Sequence, residues 1–98
     1  MAVGRLRLGQ LVGSRAGRDS GQRYLVVGKS GDRFVLVADG KTRRVAAPKK
    51  KNIRHLIFHS AVAEEIGNKL TAGEEVTDEE IRLALTELVE EQGFSLPT

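Results

Sequence analysis

The densest positive charge in the chain is the run Lys49-Lys50-Lys51-Asn52, with Arg54 close behind it. Arg15, Arg18, Arg23, Arg43 and Arg44 add to the same field from turn-flanking positions. The chemistry open to such a set is neutralisation of phosphates by Lys and Arg, with Asn52 and His55 as polar contacts to sugar or base. The plainer reading is a solvated loop or a nuclear-localisation-like patch, but this many cations exceed what solubility requires. Two other patterns dissolve on inspection. Gly28-Lys29-Ser30 and Gly40-Lys41-Thr42 each resemble the end of a phosphate-binding loop. The glycine that should stand five residues before the second one is replaced by Arg23 and Val35, so both read as turns. His55 and His59 are four apart, yet the alternation around them suits a strand, and no cysteine or nearby carboxylate completes a metal site. No Ser or Asp stands with a His in an order that would build a nucleophile, so neither catalysis nor a cofactor is expected.

Positive charge is concentrated in one part of the chain. Residues 1–59 hold 14 Lys and Arg against 3 Asp, a net +11, and residues 60–98 hold 2 basic against 10 acidic residues, a net −8. A field that positive on fewer than sixty residues selects polyanions, of which RNA and DNA are the commonest in a cytosol. The 98 residues allow one small unit or a unit with an appendage, and the absence of cysteine leaves folding to packing alone and fits a reducing cytoplasm. The longest apolar run is Phe34 to Ala38, and the first seven residues have no apolar signal-like region. Neither a membrane span nor a secretory leader is expected.

The elements that must position the cations follow from turn spacing. Gly17–Gly21, Ser30–Asp32, Asp39–Lys41 and Pro48–Asn52 are turn signals whose centres recur at about the interval of short strands. Between them lie five runs rich in β-branched and aromatic residues: Leu8 to Ser14, Arg23 to Gly28, Arg33 to Ala38, Arg43 to Ala47 and His55 to His59. This pattern predicts a small all-β barrel or sandwich, with Asp39-Gly40 as a tight hairpin and Tyr24, Phe34 and Phe58 in its core. Beyond His59 the period shifts to helical. Ser60 to Leu70 reads as a short helix stopped by Gly73. A second helix opens on the capping box Thr77/Glu80, carries the stripe Ile81, Ala84, Leu85, Leu88 and Val89, and stops at Gly93. Two short helices cannot bury that stripe alone, so it must dock on the barrel or on a protein partner.

The segment Gly9-Gln10-Leu11-Val12, the loop Ala16-Gly17-Arg18-Asp19-Ser20-Gly21 and the following Tyr24-Leu25-Val26-Val27 together resemble the KOW motif. Ala38 to Arg44, Pro48 to Asn52 and His55-Leu56 look like the bacterial KOW-type RNA-binding proteins related to archaeal and eukaryotic large-subunit ribosomal proteins. Val76 to Arg82 looks like their acidic helical tail. Many KOW motifs have a further glycine where this chain has Tyr24, which sets it nearer the ribosomal branch than the transcription-elongation one.

The resemblance implies a mainly β fold: a small SH3-like (KOW) barrel of about five strands over 1–59, followed by two short acidic helices in a tail over 60–98. It also implies RNA, rRNA or the ribosome as partner. The expected RNA-contacting set is Arg15, Gly17, Arg18, Asp19, Gly21, Arg23, Arg43, Arg44, Lys49, Lys50, Lys51, Asn52 and His55, with Asp19 bracing its loop. The rival expectation is a protein-interaction module that recognises an acidic partner.

Overall fold

The computed structural model describes residues 6–15, 17–18 and 20–93, the last three by backbone only. Five strands, β1 (Gln10–Ser14), β2 (Arg23–Ser30), β3 (Phe34–Ala38), β4 (Lys49–Asn52) and β5 (Leu56–Val62), precede two helices, α1 (Glu64–Thr71) and α2 (Asp78–Gly93). The strands form one antiparallel sheet in the order β4-β3-β2-β1-β5. The mainly β class, the five strands and the two helices are as expected, but the barrel is not closed. The sheet has β4 at one edge and β5 at the other, with no ladder between them.

Two expected elements change places. Arg43 to Ala47, read as a strand, lies in a long connection between β3 and β4, and the lysine run, read as a loop, is edge strand β4. The cause is local. Asp39 accepts hydrogen bonds from the Lys41 and Arg43 backbone N–H groups, both at 2.8 Å, and from the Thr42 hydroxyl. Those donors are therefore lost to any ladder. A type I′ turn at Asp39-Gly40 would need positive φ at both residues, and only Gly40 has it. β4 then pairs with β3 from Val37↔Lys49 to Phe34↔Asn52. Lysines on an edge strand also discourage further strand addition.

β1 and β2 are covered on both faces, so their alternation sorts side chains into two cores. On one face Val12, Tyr24, Val26, Val35, Val37 and Leu56 cluster with Leu6, flanked by Leu8 and Ile53. On the other, Leu11 and Leu25 meet Ile66 of α1, Val76, and Ile81 and Leu88 of α2. The helical stripe thus docks on the sheet of its own chain. The charge division after His59 falls inside β5, which continues to Val62.

The helix signals are fulfilled unevenly. The Thr77 and Glu80 side chains bond each other's backbone N–H groups at 2.9 and 3.1 Å, the reciprocal box the sequence spells. After α1, the N–H of Gly73 (φ 77°) donates to Leu70 O and that of Glu74 to Lys69 O, the paired bonds of a Schellman ending. Ser60 does not cap α1, because it is still in β5; Ala63 stands at the cap and its N–H donates to Gly9 O at 2.8 Å.

That bond belongs to a close crossing of α1 over the chain before β1. Gly9 has φ 88°, and a Cβ built there would lie 2.5 Å from Ala63 O; a Cβ on Gly67 would lie 2.3 Å from Leu8 O. Backbone meets backbone, so no side chain can swing away. Alanine ordinarily stabilises a helix interior by about 1 kcal/mol over glycine. Gly67→Ala is expected to do the reverse here, costing about 2–3 kcal/mol as overpacking does. Thermal unfolding followed by circular dichroism should then fall by roughly 10 °C or more.

Candidate nucleic-acid interface

The loop after β1 is folded by its own backbone. Ser14 N–H donates to Gln22 O and Gly21 N–H to Ser14 O, both at 2.8 Å, while Ser20 N–H reaches Gly17 O. Gly17 and Gly21 have φ of 85° and 90°, a conformation that L side chains rarely adopt. Arg15 and Arg18 stand exposed on this loop, Arg23 is exposed at the start of β2, and Asp19 lies outside the described residues. The Arg15 N–H donates to His55 O at 2.9 Å, fastening the loop to the 3-10 turn Ile53–His55, on which His55 is exposed.

The second cationic segment is the β3–β4 connection, and α2 holds it in place. Val45 N–H donates to Asp78 Oδ1 at 2.7 Å, and the Arg82 guanidinium donates to Gly40 O at 2.7 Å. Arg44 lies 3.7 Å from Asp78 Oδ2 with its side chain largely in solvent, an ion pair that water and salt leave weak. Arg43 is exposed.

Segments distant in sequence converge here. Arg18 and Ser20 from the first loop, Thr42 and Arg43 from the second, and Lys49 from β4 surround an open groove of about 580 Å³ together with Gln22 and Tyr24. A neighbouring groove of about 550 Å³ shares Gln22 and Thr42 and brings in Gly21, Arg23 and Lys41. The Ser20 hydroxyl and the Gln22 amide are hydrogen-bonding groups among the cations that the sequence reading did not single out, whereas the Thr42 hydroxyl already donates to Asp39. Their proximity to the turn glycines was the available signal. A groove of this composition suits a phosphodiester chain, with charge for the phosphates and neutral donors for phosphate or sugar oxygens.

The rest of the lysine run points elsewhere. Lys50 is exposed, its ammonium 4.7 Å from the centre of the Phe34 ring. Lys51 is only 8% exposed and donates to Ser14 Oγ at 3.0 Å. This is a correction to the picture of a polar loop: Lys51 pairs with Val35 and turns inward, reaching from edge strand β4 to β1 across the curled face. The Asn52 Oδ1 accepts from Arg54 N–H and caps the 3-10 turn. His55 lies on that turn and His59 in β5, not on one continuous strand. Among the described residues no three of His, Cys, Asp and Glu gather as metal ligands, and no helix is long and apolar enough to cross a membrane. The aromatics also depart in part from expectation. Tyr24 is core as expected, but Phe34 is half-buried and Phe58 is exposed.

Asp39, which shapes the Arg43-bearing loop, is buried, and burial by itself raises a carboxyl pKa. The opposing hydrogen bonds from the Arg43 and Lys41 backbones and from Thr42 prevail, and the pKa lies below the ordinary Asp value. A depressed folded-state pKa stabilises the fold above the unfolded value, and that contribution is lost as pH falls through the folded one. Stability should therefore decline as pH drops from about 5 through the acid range below about 4. Asp39→Asn should flatten that part of the profile, as measured by urea unfolding at successive pH values.

No family model matches the chain. One relative, "Putative ribosome-binding protein YbzG" of Bacillus subtilis (strain 168), is 37% identical over 71 residues, which make up 72% of this chain and 96% of the relative. With that identity across nearly the whole of the relative, the chain belongs to the family of YbzG.

Proposed function

We propose that this protein is a non-enzymatic RNA-binding protein of the cytoplasm that associates with the ribosome by gripping phosphates of structured rRNA. The observation that carries the reading is the groove in which Arg18, Arg43 and Lys49 meet from three separate segments. The +11 of residues 1–59 supplies the surrounding field, and the ribosome enters through the name given to the B. subtilis relative. The KOW resemblance fits the order of the strands. On this reading the sheet, in which β1 pairs with both β2 and β5 and Lys51 reaches from β4 to Ser14, is taken as an SH3-like arrangement whose last ladder is left open. The cationic set for this reading is Arg15, Arg18, Arg23, Arg43, Arg44, Lys49 and Lys50. Lys51 serves the interior.

Selectivity on this reading comes from the shape and phosphate geometry of the RNA rather than from its sequence. Binding to an rRNA fragment should weaken steeply with salt. Five or six neutralised phosphates at about 0.7–0.9 each give a log–log slope of about −4 to −5. Filter binding across a potassium chloride series measures it, and co-sedimentation with ribosomes should fall in parallel. A slope shallower than about −1 would remove phosphates as the main contact and favour an acidic protein partner.

A further inference from the structure

Strand β5 carries two large apolar side chains in solvent, Ile57 at 48% and Phe58 at 38% exposure. Neither belongs to either apolar cluster among the described residues. Val12 pairs with Tyr24 on one side and with Phe58 on the other, so the three form a row across β2, β1 and β5. Directly paired residues share a face of the sheet. Phe58 therefore lies on the face of Val12 and Tyr24, both buried, and is exposed where that face ends at the open β5 edge. Exposed Arg54 and His55 immediately precede β5, and exposed Arg15 is bonded to the His55 carbonyl.

An exposed aromatic ring on the strand that follows exposed Arg54 and His55, with exposed Arg15 fastened to the start of that strand, has the composition of a single-strand stacking site. We propose that Phe58 is a stacking platform for an unpaired base, so that the RNA recognised has a loop, bulge or frayed end. This rests on the RNA-binding reading above and narrows it. The cations flanking Phe58 favour a nucleic acid over a second copy of the chain, whose own edge would bring the same positive charges against them. Base stacking also explains why an aromatic should stand on an edge strand where its ring gains little from the core.

The test compares Phe58→Leu, which keeps an apolar side chain of similar reach, and Phe58→Tyr, which keeps the ring. The probes are a stem-loop RNA, the same stem as a blunt duplex, and the stem-loop with 2-aminopurine in its loop. Phe58→Leu is expected to lose about tenfold in affinity for the stem-loop. Affinity for the duplex and the salt slope should be unchanged, and the quenching of 2-aminopurine should disappear. Phe58→Tyr should retain both affinity and quenching. Equal stem-loop binding by wild type and Phe58→Leu, with the steep salt slope intact, overturns the stacking site and leaves RNA binding standing. Absence of salt-sensitive binding to either RNA overturns both. Concentration-dependent self-association that Phe58→Leu abolishes, seen by sedimentation velocity, assigns β5 to a contact between copies instead.

Discussion

Deleting residues 60–98 is expected to abolish cooperative folding rather than release a stable basic unit. Leu11 and Leu25 are both fully buried, and what covers them is Ile66, Val76, Ile81 and Leu88. Exposing two leucines alone forfeits about 3–6 kcal/mol. That is comparable with the whole stability of about 5–15 kcal/mol expected of a small protein. The deletion also removes the last three residues of β5, the Ala63–Gly9 hydrogen bond and the Asp78 and Arg82 contacts that hold the β3–β4 connection. A chain of net +11 with no acidic counterpart would repel itself as well. Circular dichroism melting of the 1–59 fragment should show no sigmoidal transition. A folded fragment that binds RNA more tightly at low salt would instead mean that the acidic segment acts as a tethered competitor.

The second large effect concerns recognition and should leave the fold alone. Arg18→Glu combined with Arg43→Glu reverses two exposed cations that line the same groove from two separate segments, neither of which contributes to the apolar clusters. Losing two phosphate contacts and placing two carboxylates in their stead should weaken RNA binding on the order of 100-fold or more near physiological salt. The slope of log affinity against log salt should become shallower by about two contacts. The melting temperature should stay within about 2–3 °C of wild type, as expected for surface substitutions. Lys29→Glu combined with Arg33→Glu, two exposed cations that line neither this groove nor its neighbour, serves as the charge-matched control. If it weakens binding as strongly as the groove variant, net charge and not the groove governs association.

How far the chain could be read depends on which residues determine each element. Gly31 and Gly73, with positive φ, mark turns that the sequence announces, and Thr77/Glu80 marks a helix start because the capping bonds are local. The β3–β4 connection was illegible for the opposite reason. Val45-Ala46-Ala47 has strand-like composition, but its conformation answers to Asp39 before it and to Asp78, which is 33 residues further on. β4 is a strand because β3 offers a free edge, a fact about topology that four polar residues cannot advertise. Cations were legible as a set and illegible one by one. Alternation in an edge strand sent Lys51 inward and Lys50 outward, and only the pairing register with Val35 decides which. Phe58 looked like core since it follows Leu56 by two, yet among the described residues no strand lies beyond β5 to cover it.

The anchoring of the β3–β4 connection bears on what happens when a ligand arrives. Ten residues without regular structure would ordinarily be ordered at the moment of contact, at about 1–2 kcal/mol of backbone entropy for each residue fixed. Here Asp39 gathers the Lys41, Thr42 and Arg43 donors, and the start of α2 grips Gly40 and Val45, so this entropy is lost on folding and not on binding. On the proposed reading the guanidinium of Arg43 would meet phosphate from a backbone already set, with affinity correspondingly less diminished by ordering. The acidic helix, which cannot itself attract a polyanion, thereby serves as the splint for a loop that carries Lys41, Arg43 and Arg44.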